Sequence, residues 1–156
     1  MKLSQYVRKD LIITDLRAKD KADALRRMAT AFKEAGLIRD EKALFESIMT
    51  REKIMTTGIG EGLAIPHTSL GDIQDMAIAV AVLGQELDFQ SLDQRPVRMI
   101  VMIVANDQRP DLSLKALAGI TRMVCHTALV RRLARATDPG EVFSLLQESE
   151  GQIAHH

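Results

Sequence analysis

The chain has little cysteine and no excess of charge of either sign. Its 156 residues include one cysteine, Cys125, which excludes an internal disulfide and a cysteine-based zinc cluster. A lone cysteine is typical of a protein that works in a reducing cytoplasm. Lysine plus arginine and aspartate plus glutamate each number 21, so the formal net charge is zero. This balance favours neither nucleic acid nor an anionic membrane surface as a partner.

Long apolar runs are missing as well. No stretch approaches the roughly 20 residues that a membrane-spanning helix needs, and the N-terminal residues lack the apolar core of a secretory signal. The chain has no internal repeat and no low-complexity tract. Its length and its hydrophobic fraction of 46% predict a single cytoplasmic domain over residues 1–150. We expect residues 151–156, which end in His155 and His156, to be a disordered tail or a tag remnant.

Two apolar stretches predict the centre of a β-sheet. Met76–Leu83 alternates bulky residues with alanines, and Val97–Ala105 is almost wholly apolar, so both strands are expected to be covered on both faces. Leu11–Ile13 predicts an edge strand, and Gly84–Phe89 predicts a turn, with a short added edge strand as the open alternative. Helices are predicted to begin near Asp20, Asp40, Asp111 and Asp138, with one more over residues 127–136. The pattern predicts an α/β fold, a small mixed β-sheet flanked by helices on both faces.

The stretch Thr56–Leu70 reads T-T-G-I-G-E-G-L-A-I-P-H-T-S-L. Gly58, Gly60 and Gly62 alternate before a short apolar strand, and a run of free N–H groups there is able to cradle an anion. His67 follows Pro66 at the end of that strand. Neutral imidazole is a good nucleophile near pH 7 and can hold a phosphoryl group on nitrogen. From the residues alone, a histidine satisfied within the core is the open alternative.

Two nucleotide motifs are absent from this stretch. It lacks the G-K-[S/T] ending of a phosphate-binding P-loop and the G-x-G-x-x-G spacing of a dinucleotide site. Its other polar residues are weaker candidates. Glu61 is either a solvated loop charge or a carboxylate that faces a partner or balances a positive site. Thr68 and Ser69 are hydroxyl neighbours of His67.

An arginine precedes the glycines. In the helix predicted after Asp40, Leu44, Ile48 and Arg51 follow at steps of four and three, so they share one face. This spacing predicts Arg51 at the inward end of an apolar stripe. Its guanidinium is well shaped for a phosphate, although an arginine that extends its charged end into water is the open alternative. Glu52 is expected at the surface.

The segment G-I-G-E-G-L-A-I-P-H, with R-E upstream, resembles the active-site signature of the fructose/mannitol-type enzyme IIA domains of the bacterial phosphoenolpyruvate:sugar phosphotransferase system. That family includes the nitrogen-regulatory IIA proteins. The resemblance extends in motif detail from Arg51 to Leu117. It implies that His67 takes a phosphoryl group from the small carrier HPr or a paralogue, with Arg51 in the active site. It implies no cofactor, metal or nucleotide.

One position departs from the family pattern. Where the family has a second histidine, in H-L-x-x-L-A, this chain reads S-L-K-A-L-A, with Ser113 in place of the histidine. We expect Ser113, Leu117, Ile120 and Val124 to form the inward stripe of this helix, and Cys125 to be a small core residue. His126 does not replace the missing histidine, because thirteen residues of helix separate it from Ser113 by roughly 20 Å.

The departure leaves two hypotheses. In the first, the chain is a phosphoryl carrier: His67 attacks the phosphohistidine of an HPr-type donor with one ring nitrogen, while a backbone carbonyl holds the other. The output is then regulatory and nitrogen-related, and the partners are the donor, an enzyme IIB or target proteins. In the second, the chain is an interaction module that transfers phosphate poorly because of Ser113. A phosphatase is a weaker third reading, since Glu61 is the only candidate base.

Overall fold

The computed structural model describes residues 2–126 and 128–154, with only the backbone of His126 and Ala154. After a single 3-10 turn at Leu3–Gln5, the described part contains six strands and five α-helices. The strands are β1 (Val7–Leu16), β2 (Gly58–Gly60), β3 (Leu63–Ala64), β4 (His67–Leu70), β5 (Met76–Leu87) and β6 (Val97–Asn106). The helices are α1 (Lys21–Glu34), α2 (Glu41–Ile54), α3 (Pro110–His126), α4 (Leu129–Ala134) and α5 (Pro139–Ala154).

The six strands form one mixed sheet in the order β1-β5-β6-β3-β2, with β4 also paired to β6. β1 runs parallel to β5, and both β3 and β4 run parallel to β6. β5 and β6 are antiparallel, as are β2 and β3. The predicted α/β fold with a small mixed sheet is confirmed, and the two strands predicted to be central lie at its middle.

Helices cover both faces because both faces of the central strands are apolar. Ile78 and Val80 of β5 belong to a core that is shared with α3, α4 and α5. The alternate residues, Ala77 and Ala79, belong to a second core shared with α1 and α2. Phe32 of α1 is fully buried in that second core. Each large apolar side chain buried in this way stabilises the fold by about 1.5–3 kcal/mol.

Three helices begin where capping residues predict them. The side chain of Asp20 accepts a hydrogen bond from Asp23 N at 2.9 Å, and that of Asp40 accepts one from Ala43 N at 3.1 Å. Asp138 accepts one from Glu141 N at 2.9 Å at the start of α5. Each bond satisfies an N–H that the first helical turn leaves unpaired, which is worth about 1 kcal/mol.

Several strand predictions need correction. β1 extends over ten residues, well beyond Leu11–Ile13, although it does lie at an edge of the sheet. The turn predicted over Gly84–Phe89 is wrong, because β5 continues through Gly84 to Leu87. The strand bends there: its register against β6 shifts between Val82 and Leu87. A glycine in an apolar run thus marks an irregularity within the strand, not its end.

The C-terminal third also differs from expectation. α3 begins at Pro110, and of the four residues predicted to face inward Ile120 is buried, while Ser113, Leu117 and Val124 are only half-buried. Cys125 is exposed, so its prediction as a core residue is wrong. α5 continues to Ala154, so residues 151–154 are helical and not a disordered tail. Residues 155–156 lie outside the described part. The buried stripe of α3 is Leu112, Ala116, Ile120 and Met123.

No helix in the described part of the chain is long and apolar enough to span a membrane.

Candidate functional site

His67 begins β4, directly after a short break in the strand. Leu63 of β3 lies opposite Met99 of β6, and His67 lies opposite Ile103, so the register of the strand is the same on both sides of Ile65 and Pro66. Side chains alternate along such a strand, and Leu63 belongs to the core on the α3 side. His67, four residues on, therefore faces the same side. It is half-buried there.

The ring of His67 is held by its own strand. Its Nδ1 atom lies 2.8 Å from the carbonyl oxygen of Ile65. A carbonyl oxygen only accepts, so Nδ1 carries the hydrogen and donates it. A neutral imidazole has one N–H, which leaves Nε2 with its lone pair free. The expectation that a backbone carbonyl holds one ring nitrogen is confirmed, and Nε2 is the ring nitrogen left free to act as a nucleophile.

Ser113 lies on the same side of the sheet as His67. It stands in the first turn of α3, which packs against β4 and β6. Its neighbour Leu112 is buried in the core on this side, and Ser113 itself is half-buried. Ser69, two residues after His67, points to this side as well and is half-buried. The sequence places Ser69 beside His67 in the chain, and the strand places it on the same face.

Arg51 is not at the inward position that its spacing predicts. Leu44 and Ile48 of α2 are buried against the opposite face of the sheet, but Arg51 is exposed. Arg51 stands one turn after Ser47, on the same side of α2. The Ser47 hydroxyl bonds that of Thr68, the residue after His67. Arg51 therefore lies close to the strand that carries His67.

The edge of the sheet is open beside Arg51. Among the described strands, β4 pairs with β6 alone, because β2 pairs only with β3. Among the described residues, Arg51 has no carboxylate within ion-pair distance.

Glu52 takes the inward position instead, so its prediction as a surface residue is wrong. It follows Ile48 by four residues and is 7% exposed. Lys21 of α1 pairs with it, with 2.6 Å between Nζ and Oε2. The carboxylate also accepts the N–H of Thr57 and bonds its hydroxyl. A buried carboxylate needs such partners. None of these partners belongs to the apolar stripe that the sequence predicts along α2.

The structure explains why glycine occupies each of these three positions. A Cβ on Gly58 would lie 2.2 Å from Oγ of Ser91, and Gly60 and Gly62 have φ angles of 102° and 80° that favour glycine. Two amides of the loop are already bonded: Gly58 N donates to the Thr56 hydroxyl at 3.1 Å, and Glu61 N donates to the Asp93 carboxylate at 3.1 Å. That the loop holds a phosphoryl group stays a prediction.

Two of the weaker candidates, Thr68 and Glu61, lie apart from the ring of His67. Thr68 is buried and points toward α2, away from the face of His67. Glu61 is exposed, in a left-handed conformation with φ of 58° at the turn between β2 and β3. Among the described residues, no three or more His, Cys, Asp or Glu side chains gather in a way that would hold a metal ion.

The chain is similar to known proteins over most of its length. A family model described as "Phosphoenolpyruvate-dependent sugar phosphotransferase system, EIIA 2" matches residues 5–149. A nitrogen regulatory protein of Bradyrhizobium diazoefficiens is 32% identical, and the match covers 94% of this chain and 95% of that protein. The fructose-specific EIIABC component of Bacillus subtilis is 28% identical over 96% of this chain, which spans only 24% of its length.

Two solved structures share the fold. The nitrogen regulatory protein IIA-Ntr of Neisseria meningitidis matches with a TM-score of 0.85 and 20% identity, over 92% of this chain and 97% of that one. An Escherichia coli structure, a complex of enzyme IIA mannitol with phosphorylated enzyme IIB mannitol, matches with a TM-score of 0.73 and 20% identity, over 89% and 95%.

Proposed function

Since the chain belongs to the EIIA 2 family of the phosphoenolpyruvate-dependent sugar phosphotransferase system, we propose that it carries a phosphoryl group on Nε2 of His67. The observation that supports this most strongly is the hydrogen bond from Nδ1 to the carbonyl of Ile65 at 2.8 Å. That bond selects the tautomer whose lone pair lies on Nε2 and fixes the ring before the donor arrives. A fixed ring loses little freedom when it reacts.

The proposed reaction is an exchange between two imidazoles. The Nε2 lone pair of His67 attacks the phosphorus of a phosphohistidine on an HPr-type donor protein. A new P–N bond forms on His67 as the P–N bond of the donor breaks, and the electron pair leaves with the ring of the donor. The phosphorylated ring of His67 keeps its Nδ1 hydrogen and gains positive charge, which the Ile65 carbonyl stabilises. No cofactor supplies any part of this exchange.

Arg51 is proposed to pair with the phosphoryl oxygens. Its guanidinium is exposed, has no carboxylate partner among the described residues and stands at the open edge beside β4. A phosphoryl group in transfer carries its charge on three oxygens, and positioned cations lower the barrier by stabilising that charge. The fork of an arginine matches two of those oxygens at once.

The output of the carrier is proposed to be regulatory. The nitrogen regulatory protein of Bradyrhizobium diazoefficiens, which this chain matches along nearly the whole length of both proteins, supports that reading. The structure of enzyme IIA mannitol bound to enzyme IIB supports an enzyme IIB as a further partner. The lone cysteine favours the cytoplasm as the place of action. An interaction module without transfer is the rival reading, and it rests on Ser113 alone.

Phosphoryl uptake tests the proposal. The purified chain is incubated with a phosphorylated HPr-type donor, and the label is analysed for the acid lability of phosphohistidine. ³¹P NMR then distinguishes the two ring nitrogens. We expect acid-labile label on Nε2, which His67→Ala abolishes and His126→Ala leaves intact. Label that is acid-stable, or that survives His67→Ala, contradicts the proposal.

A further inference from the structure

An arginine-lined groove lies away from His67. It has a volume of about 900 Å³ and runs between the end of α3, α4 and the start of β6. Arg95 and Arg98 line it from the sheet side, and Arg131 and Arg135 line it from α4. Val124 and Val130 supply apolar surface between them. All four arginines are exposed. In a chain with no net charge, this is a local concentration of positive charge.

The arginines of the groove are less paired than arginines elsewhere in the chain. Within the groove, Arg98 pairs with Glu86 at 2.5 Å. The other three have no carboxylate within 4.0 Å among the described residues. Among the nine described arginines outside the groove, five have a carboxylate partner, against one of four within it; the five are Arg8, Arg17, Arg27, Arg109 and Arg132.

Fold stability does not account for this arrangement. Arg131 lies in α4 and Arg135 is the residue that caps its C-terminal end, four positions on, and like charges at that spacing repel. The end of a helix favours a cation, which offsets part of the repulsion at α4. That effect does not extend to Arg95 and Arg98, which lie outside the helices. Apart from Arg98, which pairs with Glu86, the groove therefore presents arginines that no carboxylate among the described residues neutralises.

The ring of His67 lies away from the arginines of the groove, although Glu61 and Gly62 of the glycine loop line part of it. Eleven residues of α3 separate Ser113, on the His67 side, from Val124 in the groove, a distance of roughly 17 Å. Along β6, five residues separate Ile103, opposite His67, from Arg98, which again gives roughly 17 Å. A molecule seated in the groove thus leaves His67 open to a donor.

We propose that this groove binds an acidic, amphipathic segment of a protein partner. Carboxylates of the partner would pair with Arg95, Arg131 and Arg135, while its apolar side chains contact the two valines. The groove also contains the carboxylates of Glu61 and Glu86. Glu86 is already paired with Arg98, so Arg95, Arg131 and Arg135 outnumber the remaining carboxylate of Glu61 and favour an acidic segment. The inference rests on the proposed regulatory function, since it supplies the surface that such an output needs.

Binding of a defined probe tests the inference. The probe is a fluorescent synthetic helix of glutamate and leucine at helical spacing, with a scrambled peptide of the same composition as control. Anisotropy measures affinity, and amide NMR shifts locate the contact. Arg131→Glu with Arg135→Glu is compared with Arg39→Glu plus Arg122→Glu, a pair of exposed arginines elsewhere in the chain with the same change in charge. If the charge reversal disturbs the fold, the neutral double variant Arg131→Gln with Arg135→Gln replaces it in the same comparison.

We expect the groove variant to bind the probe at least roughly tenfold more weakly than the control variant, with shifts around α4 in the wild type. The rate of phosphoryl uptake by His67 should stay within about twofold of the wild type in the groove variant. Peptide binding therefore tests the groove, and phosphoryl uptake separately tests the proposed carrier function. Equal loss in both variants, or equal binding of the scrambled peptide, overturns the inference. Binding of tripolyphosphate at these arginines without binding of the peptide also overturns it.

Discussion

The ammonium of Lys21 lies 2.6 Å from the carboxylate of Glu52, and the two side chains are only 13% and 2% exposed. This buried ion pair is the start of a chain of contacts that ends at His67. Glu52 bonds Thr57, the carbonyl of Thr57 accepts the N–H of Ile65 at 3.0 Å, and the carbonyl of Ile65 holds His67. A residue predicted at the surface thus anchors the strand that orients the proposed phosphoryl acceptor.

Replacing Glu52 with Gln should therefore destabilise the protein strongly. The change leaves the ammonium of Lys21 buried without its counter-charge, and breaking a buried pair in this way costs about 3 kcal/mol. Urea unfolding measures the loss. The matched control is Glu46→Gln, at an exposed position of the same helix, which should change stability by less than about 0.5 kcal/mol. Equal stability of the two variants would show that the pair contributes little.

The sequence predicts features that depend on neighbouring residues better than those that depend on distant ones. The alternation in Met76–Leu83 and the capping aspartates Asp20 and Asp40 are local patterns, and the structure confirms each of them. The burial of Glu52 depends on Lys21, which lies thirty-one positions earlier in the chain. Spacing along α2 alone could not distinguish Arg51 from Glu52 as the inward residue, because either continues the stripe of Leu44 and Ile48.

The same distinction holds at the candidate site. The motif alone predicts His67 as the phosphoryl acceptor and a backbone carbonyl as the partner of its ring, and the hydrogen bond to Ile65 confirms the second of these predictions. The glycines are a different case. Gly58 packs against Ser91, which belongs to a segment more than thirty positions away. A contact of that kind leaves no periodic signal in the sequence.

Arg51→Lys should slow phosphorylation without altering the fold. Lysine keeps the charge, but it loses the planar fork that matches two phosphoryl oxygens. The rate of label uptake from a phosphorylated HPr-type donor measures the effect, and we expect a fall of roughly tenfold, equivalent to about 1.4 kcal/mol. Lys53→Arg, an exposed change on the same helix, should leave the rate unaltered. An Arg51→Lys rate equal to that of the wild type would make Arg51 a surface residue without a role in transfer.

Thr68→Val should reduce stability but not phosphoryl uptake. The Thr68 hydroxyl bonds that of Ser47 on the face opposite His67, and Thr68 is 2% exposed. Removing one partner of such a bond costs about 1 kcal/mol. Thr50→Val, an exposed threonine of α2, is the control for the loss of a hydroxyl. A large fall in uptake with unchanged stability would place Thr68 in the reaction instead.

Acid should weaken the turn at Asp93. The N–H of Arg95 and, to a smaller extent, that of Glu61 donate to this carboxylate and lower its pKa below the ordinary value. A lowered pKa in the folded state means that the stabilisation is present above the unfolded pKa of about 3.9 and is lost as the pH falls through the folded value. In Asp93→Asn, the free energy of unfolding should therefore fall less steeply as the pH is lowered into the acid range. Asp107→Asn, at an exposed position, is the control, and its free energy of unfolding should fall more steeply with acid pH than that of Asp93→Asn. If Asp93→Asn leaves this dependence on pH unchanged, these bonds do not stabilise the turn.

Ser113→His should speed onward transfer more than uptake. In the proposed reaction an HPr-type donor brings its own activated phosphoryl group, so we expect His67 and Arg51 to suffice for uptake. Giving the group away requires the ring of His67 to be a good leaving group, and a second imidazole on the same side of the sheet can assist by holding the phosphoryl oxygens. A serine hydroxyl donates one hydrogen bond but carries no positive charge. The missing assistance is worth about 1–2 kcal/mol, or roughly five- to thirty-fold in rate.

Rapid-quench measurement of the two half-reactions separates these effects. We expect Ser113→His to leave uptake within a few-fold of the wild type and to speed transfer to an enzyme IIB by roughly five- to thirty-fold. Ser144→His, at an exposed position of α5, controls for adding an imidazole elsewhere. Unchanged onward transfer in Ser113→His would mean that Ser113 does not limit the reaction. Wild-type protein that transfers phosphate as fast as a two-histidine relative would lead to the same conclusion. The Ser113 hydroxyl would then assist onward transfer as well as the second imidazole does in that relative.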